Sequence, residues 1–514
     1  MHNIKSILIM FFLAVTSSSA QSFKILGTRS LGMGGAGVAL AQGEVSQYWN
    51  PAGLALRKGM EVEIPFGIGA ELTQDLLKEA NDLAHLAPKI SAIQNKTIAN
   101  TDALTLAQYQ DFLNALVQIN ELNKEGLGVL VELQGGANIR IGPFAVSYNN
   151  FTEVGADPFV DTVNMGLSGG SFGTGLNAVF NDGSINGSNP GVNPTDQANL
   201  AAVITDMNSK LGLNLPGSAS NIANELIFNA STAGGGTLSS AEISQAVSKI
   251  QELYNQAITF LPGGVNPFAA NQTNLTLRGA SVGEVAIGAG GSFFQENAFL
   301  KRFSVGANVK ILRGEVGYAK LNILEKSVQV KDLYKDFTNN LKTSIAFGVD
   351  LGILYDMQDT RAHCRWGVVA RNVNRPEFDQ PQAGKDAGLR DYSLDPQVRA
   401  GGAWRPLNWM TVVADVDLTN NSTSLPGYKS RQVGGGLEIN VFNRSWLNLA
   451  LRGGLLKNIA EKESSLAYTA GLGLNLLHVC FDVGAALSSK SVKIDTGDQI
   501  PSSLRAAANL GVRF

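Results

Sequence analysis

The chain has 514 residues, with 40 Lys and Arg set against 43 Asp and Glu and a formal net charge of -3. No basic face is evident, so a nucleic-acid partner is not expected. With 57 glycines and only 16% charged residues, the chain is richer in glycine and poorer in charge than an average soluble domain, a composition that suits a large β-barrel.

Residues 1–20 read as a secretory signal. Lys5 supplies the positive start, Ile7 to Val15 the apolar centre, and Ser18-Ser19-Ala20 the small residues before Gln21. The apolar run is too short to span a bilayer, and no later run reaches about 18 apolar residues. An exported chain of this kind is soluble in the periplasm, secreted, or a barrel.

The next segment, residues 21–59, carries Leu31-Gly32-Met33-Gly34-Gly35-Ala36-Gly37-Val38-Ala39 and then Asn50-Pro51-Ala52. This pairing resembles the N-terminus of FadL-type outer-membrane transporters of long-chain fatty acids and aromatic hydrocarbons. It is equally similar to the TraF-like conjugal-transfer proteins and to PorV-like barrels. The resemblance implies a small hatch inside a barrel, with Gly32, Gly34, Gly35 and Gly37 as its glycines and Asn50, Pro51 and Ala52 as its motif. It also implies either passage of a hydrophobic small molecule or docking of a secretion or conjugation component. The plain alternative for Asn50-Pro51-Ala52 is an ordinary turn, since Asn before Pro commonly opens a loop.

Residues 60–514 read as strands interrupted by two helical insertions. Met60 to Gly69 sets Val62, Ile64, Phe66 and Ile68 against Glu61, Glu63, Pro65 and Gly67, the period of two that gives a strand one apolar face. Leu127 to Ile139 and Pro143 to Glu153 follow across a tight Gly-Pro turn. Further strands are expected at Leu275–Phe293, Phe303–Val316, Leu341–Tyr355, Trp366–Val373, Gln397–Trp404, Trp409–Leu418, Arg431–Val441, Trp446–Leu455 and Leu466–Leu476. A closing pair spans Val479 to Phe514. The expectation is an all-β transmembrane barrel of about 14 antiparallel strands, short turns alternating with long loops. Phe514 ends the last strand as the terminal aromatic of outer-membrane barrels does, which implies recognition by the barrel-insertion machinery and an address in the bacterial outer membrane, with its lipid as surroundings.

The insertions Ala70 to Gly126 and Gly155 to Asn274 carry helical stripes. Leu106, Tyr109, Leu113, Leu116 and Val117 make one, and Ile243, Val247, Ile250, Leu253 and Tyr254 another, with a third amphipathic helix at Thr195–Leu211. Each stripe is expected to pack on its neighbour over the barrel mouth.

If the apolar parity faces lipid, the lumen receives Lys342, Asp350, Asp356, Asn308, Lys310, Asp415, Asp417, Gln432, Glu438, Asn440, Asn448, Arg452, His478, Asp482, Arg505, Asn509 and Arg513. Charges of both signs in a low-dielectric interior must pair, bind water or meet a plug. The glycine-rich segment from Gly27 to Leu56 suits that plug, its amides free to bond wall carboxylates and its small residues permitting close approach.

Two catalytic patterns are discounted. Gly32 to Gly37 satisfies GxGxxG but follows a signal rather than a buried strand. Gly166-Leu167-Ser168-Gly169-Gly170 satisfies GxSxG, yet the histidines after it, His363 and His478, fall at the opposite end of the barrel. No enzyme activity, cofactor or metal site is expected. Cys364 and Cys480 fall on strands too far apart for a disulfide.

Overall fold

The computed structural model describes residues 21–40, 45–56, 59–73, 76, 105–159, 193–211, 217–232, 238–257, 273–292, 297, 299–322, 330–444, 446–493 and 499–514. The signal segment and Gly166 to Gly170 lie outside the described residues.

Fourteen antiparallel strands close into one barrel in chain order. They are β1 (Met60–Thr73), β2 (Gly128–Ile141), β3 (Phe144–Phe159), β4 (Asn274–Gly291), β5 (Phe303–Asn322), β6 (Lys342–Met357), β7 (Cys364–Arg371), β8 (Gln397–Leu407), β9 (Met410–Asp417), β10 (Gln432–Asn443), β11 (Leu447–Asn458), β12 (Ala467–Leu476), β13 (Val479–Ser488) and β14 (Ser503–Arg513). Closure is made by β14 on β1, with Val62 opposite Val512 and Phe66 opposite Ala508. At the seam the Phe514 amide donates to the Met60 carbonyl at 2.9 Å.

The faces are inverted relative to a soluble fold. Ile64, Phe66, Ile68, Ile287, Ile311, Ile345, Phe481 and Leu510 are exposed on the outside, whereas Asn308, Lys310, Asp350, Asp415 and Asp482 are buried within. Such a surface is stable only against hydrocarbon, where closure also leaves no backbone group unpaired. Exposed Phe144, Phe299, Trp404, Trp409, Phe442, Trp446 and Phe514 ring the end that carries the short turns. Lysine or arginine placed mid-strand on this surface is expected to cost about 2–4 kcal/mol. The test is Phe66→Arg, read as the urea midpoint of protein folded into phospholipid vesicles. A cost near zero would show that β1 does not face lipid.

Strands β3, β4 and β5 run to 16, 18 and 20 residues and outreach the apolar belt. Its edge is marked on their outer faces by the Arg313 to Glu315 ion pair at 2.7 Å and by Thr152 donating to Ser281 at 2.9 Å. Beyond that edge a helix at Val330–Asn339 lays Leu333 and Phe337 over Ala319 and Leu321. The helix was not expected from the sequence.

The insertions are shorter than expected, because β1 continues to Thr73 and β3 to Phe159. Their helices are Leu106–Glu121, Pro194–Leu211, Ala219–Thr232 and Ser240–Ala257. The third of these was unforeseen. Together they bury one shared core of Tyr109, Ile204, Ile222, Ile227, Val247 and Ile250. Two lumen assignments are corrected as well. Lys342 and His478 are exposed, Lys342 because it opens β6 at the loop end and His478 because it sits in a turn, its ring stacked on Phe514 at 5.3 Å.

Candidate functional site

The lumen is filled by residues 21–40 and 45–56, which form two short helical turns, Thr28–Gly32 and Ser46–Trp49, and a tight turn at Pro51–Leu56. Too short to bury a core alone, the segment takes its order from the wall. Phe23, Leu26, Tyr48 and Trp49 are buried in a cluster that includes Phe151 of β3 and Val369 of β7.

The glycine cluster docks where the wall is also glycine. A Cβ on Gly34 would lie 2.6 Å from the Gly435 amide, one on Gly436 2.6 Å from the Met33 Cα, and one on Gly454 2.7 Å from the Gly34 amide. Gly32 meets Gly471 in the same way. Gly34 and Gly35 have φ of +71° and +73°, a conformation that side chains rarely adopt. Thr469 ties the segment by donating to the Gly32 carbonyl at 3.1 Å and accepting the Gly34 amide at 3.0 Å. Gly37 and Val38 then donate their amides to one oxygen of Asp415, at 2.7 and 2.9 Å. Gly37 itself lies against the Trp49 indole.

Asn50 and Pro51 dock on the opposite wall. Asn50 Nδ2 donates to the Ile353 carbonyl at 3.1 Å, while its Oδ1 accepts the Ala52 amide at 3.1 Å. Gly290, Gly306 and Gly352 leave room for Pro51; a Cβ at Gly352 would come within 2.8 Å of its ring. Asn50 and Ala52 are fully buried. The turn at Asn50 is therefore also a wall contact.

Ion pairs lock the remainder. Lys24 bridges Glu132 at 2.6 Å and Glu153, and Arg29 makes a two-pronged contact with Glu438 at 2.7 and 2.8 Å. Arg452 joins Glu438 at 2.8 Å to Asp482 at 2.5 Å. Two wall arginines bracket the plug aromatics: Arg371 stands 3.9 Å over the Tyr48 ring and pairs with Glu284 at 2.8 Å, and Arg399 lies 4.9 Å from the Phe23 ring between Asp415 and Asp417. Of these, Lys24, Arg29, Glu132, Glu153, Glu284, Arg371 and Arg399 were not singled out in the sequence. The wall members were within reach of the same parity rule, since Arg399 shares its face with Gln397 and Gly401.

Above the plug, at the loop end, two connections fold inward. Residues 372–396 bring Phe378, Tyr392 and Leu394 against Leu312 and Val316, and residues 419–430 bring Leu425 and Tyr428 against Leu130. Between them lies a cavity of about 240 Å³ lined by Arg278, Val316, Gln380, Leu389, Tyr392, Leu425 and Tyr428, among others. Burial pushes the Tyr392 and Tyr428 hydroxyls well above their ordinary range, so both are neutral donors. Tyr428 spends its proton on Glu71 at 2.6 Å.

The GxGxxG residues lie inside this plug, and among the described residues no strand precedes them and no βαβ unit surrounds them. Ser168 of the GxSxG match lies outside the described residues. No disulfide joins Cys364 and Cys480.

A family model described as "F plasmid transfer operon, TraF, protein" matches residues 177–417, just under half of the chain. This bears out the resemblance to TraF-like proteins over β4 to β9 and the insertion before them. No curated protein matches the sequence. Among solved structures the chain is similar to the toluene transporter TodX of P. putida, at 9% identity and a TM-score of 0.40, over 95% of this chain and 98% of that one. It is also similar to the monoaromatic hydrocarbon channel CymD, at 12% identity and a TM-score of 0.38, over 96% and 98%.

Proposed function

We propose that this protein is an outer-membrane barrel through which small, mostly apolar molecules pass inward beside a movable plug. The observation that carries this reading is the juxtaposition of the loop-end cavity with a plug held by separable polar contacts. A cavity of about 240 Å³ is large enough for one ring-sized molecule, since an apolar cavity of about 150 Å³ admits benzene. The plug beneath it is seated by apolar and glycine packing and also by hydrogen bonds and ion pairs, and those polar contacts can be exchanged for water as it shifts. In this reading the turn end and Phe514 face the periplasm, and the helical insertions face the outside. The chain performs no chemistry on what it passes.

A disulfide across the plug tests this. The Val38 Cβ lies 3.1 Å from where a Cβ on Gly401 would stand, near the roughly 3.5–4.5 Å of a disulfide. That Cβ would also overlap Asp415 Oδ1, so the carboxylate must turn aside and only the oxidised and reduced forms of the same variant are compared. In a chain with Cys364→Ser and Cys480→Ala, the pair Val38→Cys and Gly401→Cys is expected to stop entry of a small aromatic solute into cells when oxidised and to restore it on reduction. Equal entry in both states would remove the plug from the path.

A second reading is that the helical insertions dock a component of a conjugation or secretion apparatus. It is favoured by the bundle at the loop end having a core of its own, and by the family match. Excising residues 193–257 from the barrel would then abolish co-purification of that component while leaving solute entry intact.

A further inference from the structure

The plug meets β6 and β10 with no room to spare. A Cβ on Gly352 would come within 2.8 Å of the Pro51 ring, and one on Gly436 within 2.6 Å of the Met33 Cα. The arc formed by β14, β1 and β2 is different. On the inner face of β1, a Cβ on Gly67 or Gly69 would first meet Gln134, Arg505 and Glu132, which are side chains of the wall and not of the plug. Voids of about 30 and 20 Å³ lie along this arc, each with room for a water molecule. The upper one begins among Ser430, Ser465 and Ser488 at the loop end and shares Thr423 and Tyr428 with the cavity of about 240 Å³. The lower one reaches Phe23, Ile25 and Gly67, in the middle of β1, and shares Glu132, Gln432 and Arg505 with the upper. The three make a file that descends from the mouth beside the plug.

One side chain crosses that file. Arg505 stands 3.2 Å from Glu132 and 3.6 Å from Glu71. Glu71 accepts the Tyr428 hydroxyl of the inward-folded loop at 2.6 Å, and Glu132 pairs with Lys24 of the plug at 2.6 Å. Loop, wall and plug therefore meet at this guanidinium. The Arg505, Glu132 and Glu71 side chains keep 16%, 16% and 19% of their surface exposed, so a solute in the file touches them.

We infer that the way past the plug runs down this arc and that Arg505 is its bar. The inference rests on the uptake reading and names the residue that regulates the same path. While Arg505 spans the two carboxylates it divides the upper void from the lower; swung off Glu132, it lets them join. Lys24 alone then faces Glu71, Glu132 and Glu153, and the excess of carboxylate draws cations into the gap and repels anions.

The test is the rate at which a thiol at the foot of the file is modified. Gly67→Cys is made in the full-length barrel, plug intact, with Cys364→Ser. The native Cys480, buried on β13, is the internal control, read apart by peptide mass. Two small methanethiosulfonates are used, one cationic and one anionic. Adding Arg505→Ala is expected to speed cationic modification of Gly67→Cys about tenfold and anionic modification much less, with Cys480 unchanged. Arg505→Lys, which keeps the charge, should react as slowly as the parent. Each variant is checked for the barrel's heat-dependent shift in gel migration, and Arg505→Gln replaces Arg505→Ala if the latter does not fold. Equal rates with and without Arg505, or an anionic reagent that gains as much as the cationic one, overturns the inference. So does Cys480 becoming reactive alongside Gly67→Cys, which would show the whole plug come loose. Entry of a small aromatic solute is measured separately, in cells carrying Gly67→Cys and Arg505→Ala, before modification, after it and after reduction. Entry that modification leaves undiminished overturns the route. No entry before modification, with the Arg505-dependent rate intact, sinks the uptake reading and leaves the barred file standing.

Discussion

Deleting residues 21–56 is expected to turn a silent barrel into a conducting one. Eight-stranded barrels fill their interiors with side chains and barrels of 16 to 18 strands enclose water; fourteen strands lie nearer the second case, and here the interior is occupied by the plug. Once it is gone, Glu132, Glu153, Glu438 and Asp415 lose their luminal partners Lys24, Arg29 and the Gly37 and Val38 amides. Water then takes their place. Recorded in a planar bilayer, the deleted protein should show long-lived open steps where the intact protein shows none. A milder variant separates plug movement from damage to the wall. Gly34→Val forces a Cβ into a site where φ is +71° and the Gly435 amide is 2.6 Å away, so brief, flickering openings are expected. A deleted barrel no more conductive than the intact one would mean that something else seals the lumen.

The second large effect is expected from Arg399→Leu. Arg399 is fully buried, stands 3.5 Å from Asp415 and 3.2 Å from Asp417, and donates to the Gly35 carbonyl at 2.9 Å. Its guanidinium also faces Phe23 and Trp49, at 4.9 and 5.5 Å from their rings. Removing it leaves two carboxylates in a dry interior with no cation between them, a loss of about 3–5 kcal/mol for a broken buried pair. Against a total stability of about 5–15 kcal/mol for an ordinary domain, that is a large share. The urea midpoint of vesicle-folded protein reports it. Combining Arg399→Leu with Asp415→Asn and Asp417→Asn should recover most of the loss, since neutral groups need no counter-charge. A single-variant cost below about 1 kcal/mol, the range of an exposed pair, would show that water already reaches Asp415 and Asp417.

Much of the architecture was legible because it is written in a local signal. Period-two alternation needs only neighbouring residues, so the strands, their number and the side turned to lipid could be read from Val62, Ile64 and Phe66 against Glu61 and Glu63 without knowing what lies beside them. The plug's glycines and Asn50-Pro51-Ala52 stood out for the same reason, as short motifs contiguous in the chain. Even the bond from plug amides to a wall carboxylate could be anticipated in kind.

Which carboxylate, and which cation, could not. Gly37 and Asp415 are 378 positions apart, and Arg29 and Glu438 are 409; such pairs are set by strand register and by closure of the cylinder, which act across the lumen rather than along the sequence. The inward folding of residues 372–396 and 419–430 was hidden likewise, because those stretches have no period and are placed by the space that the wall leaves them. By itself the sequence determined that the chain is a barrel with oily walls and a glycine-rich N-terminal segment suited to its lumen, since side-chain alternation and small-residue runs are properties of a single strand or turn. The tertiary structure alone decided which charges meet, where glycine faces glycine, and that Arg278, Gln380 and Tyr392 share one cavity, because each of these depends on bringing distant segments to the same height in a closed cylinder.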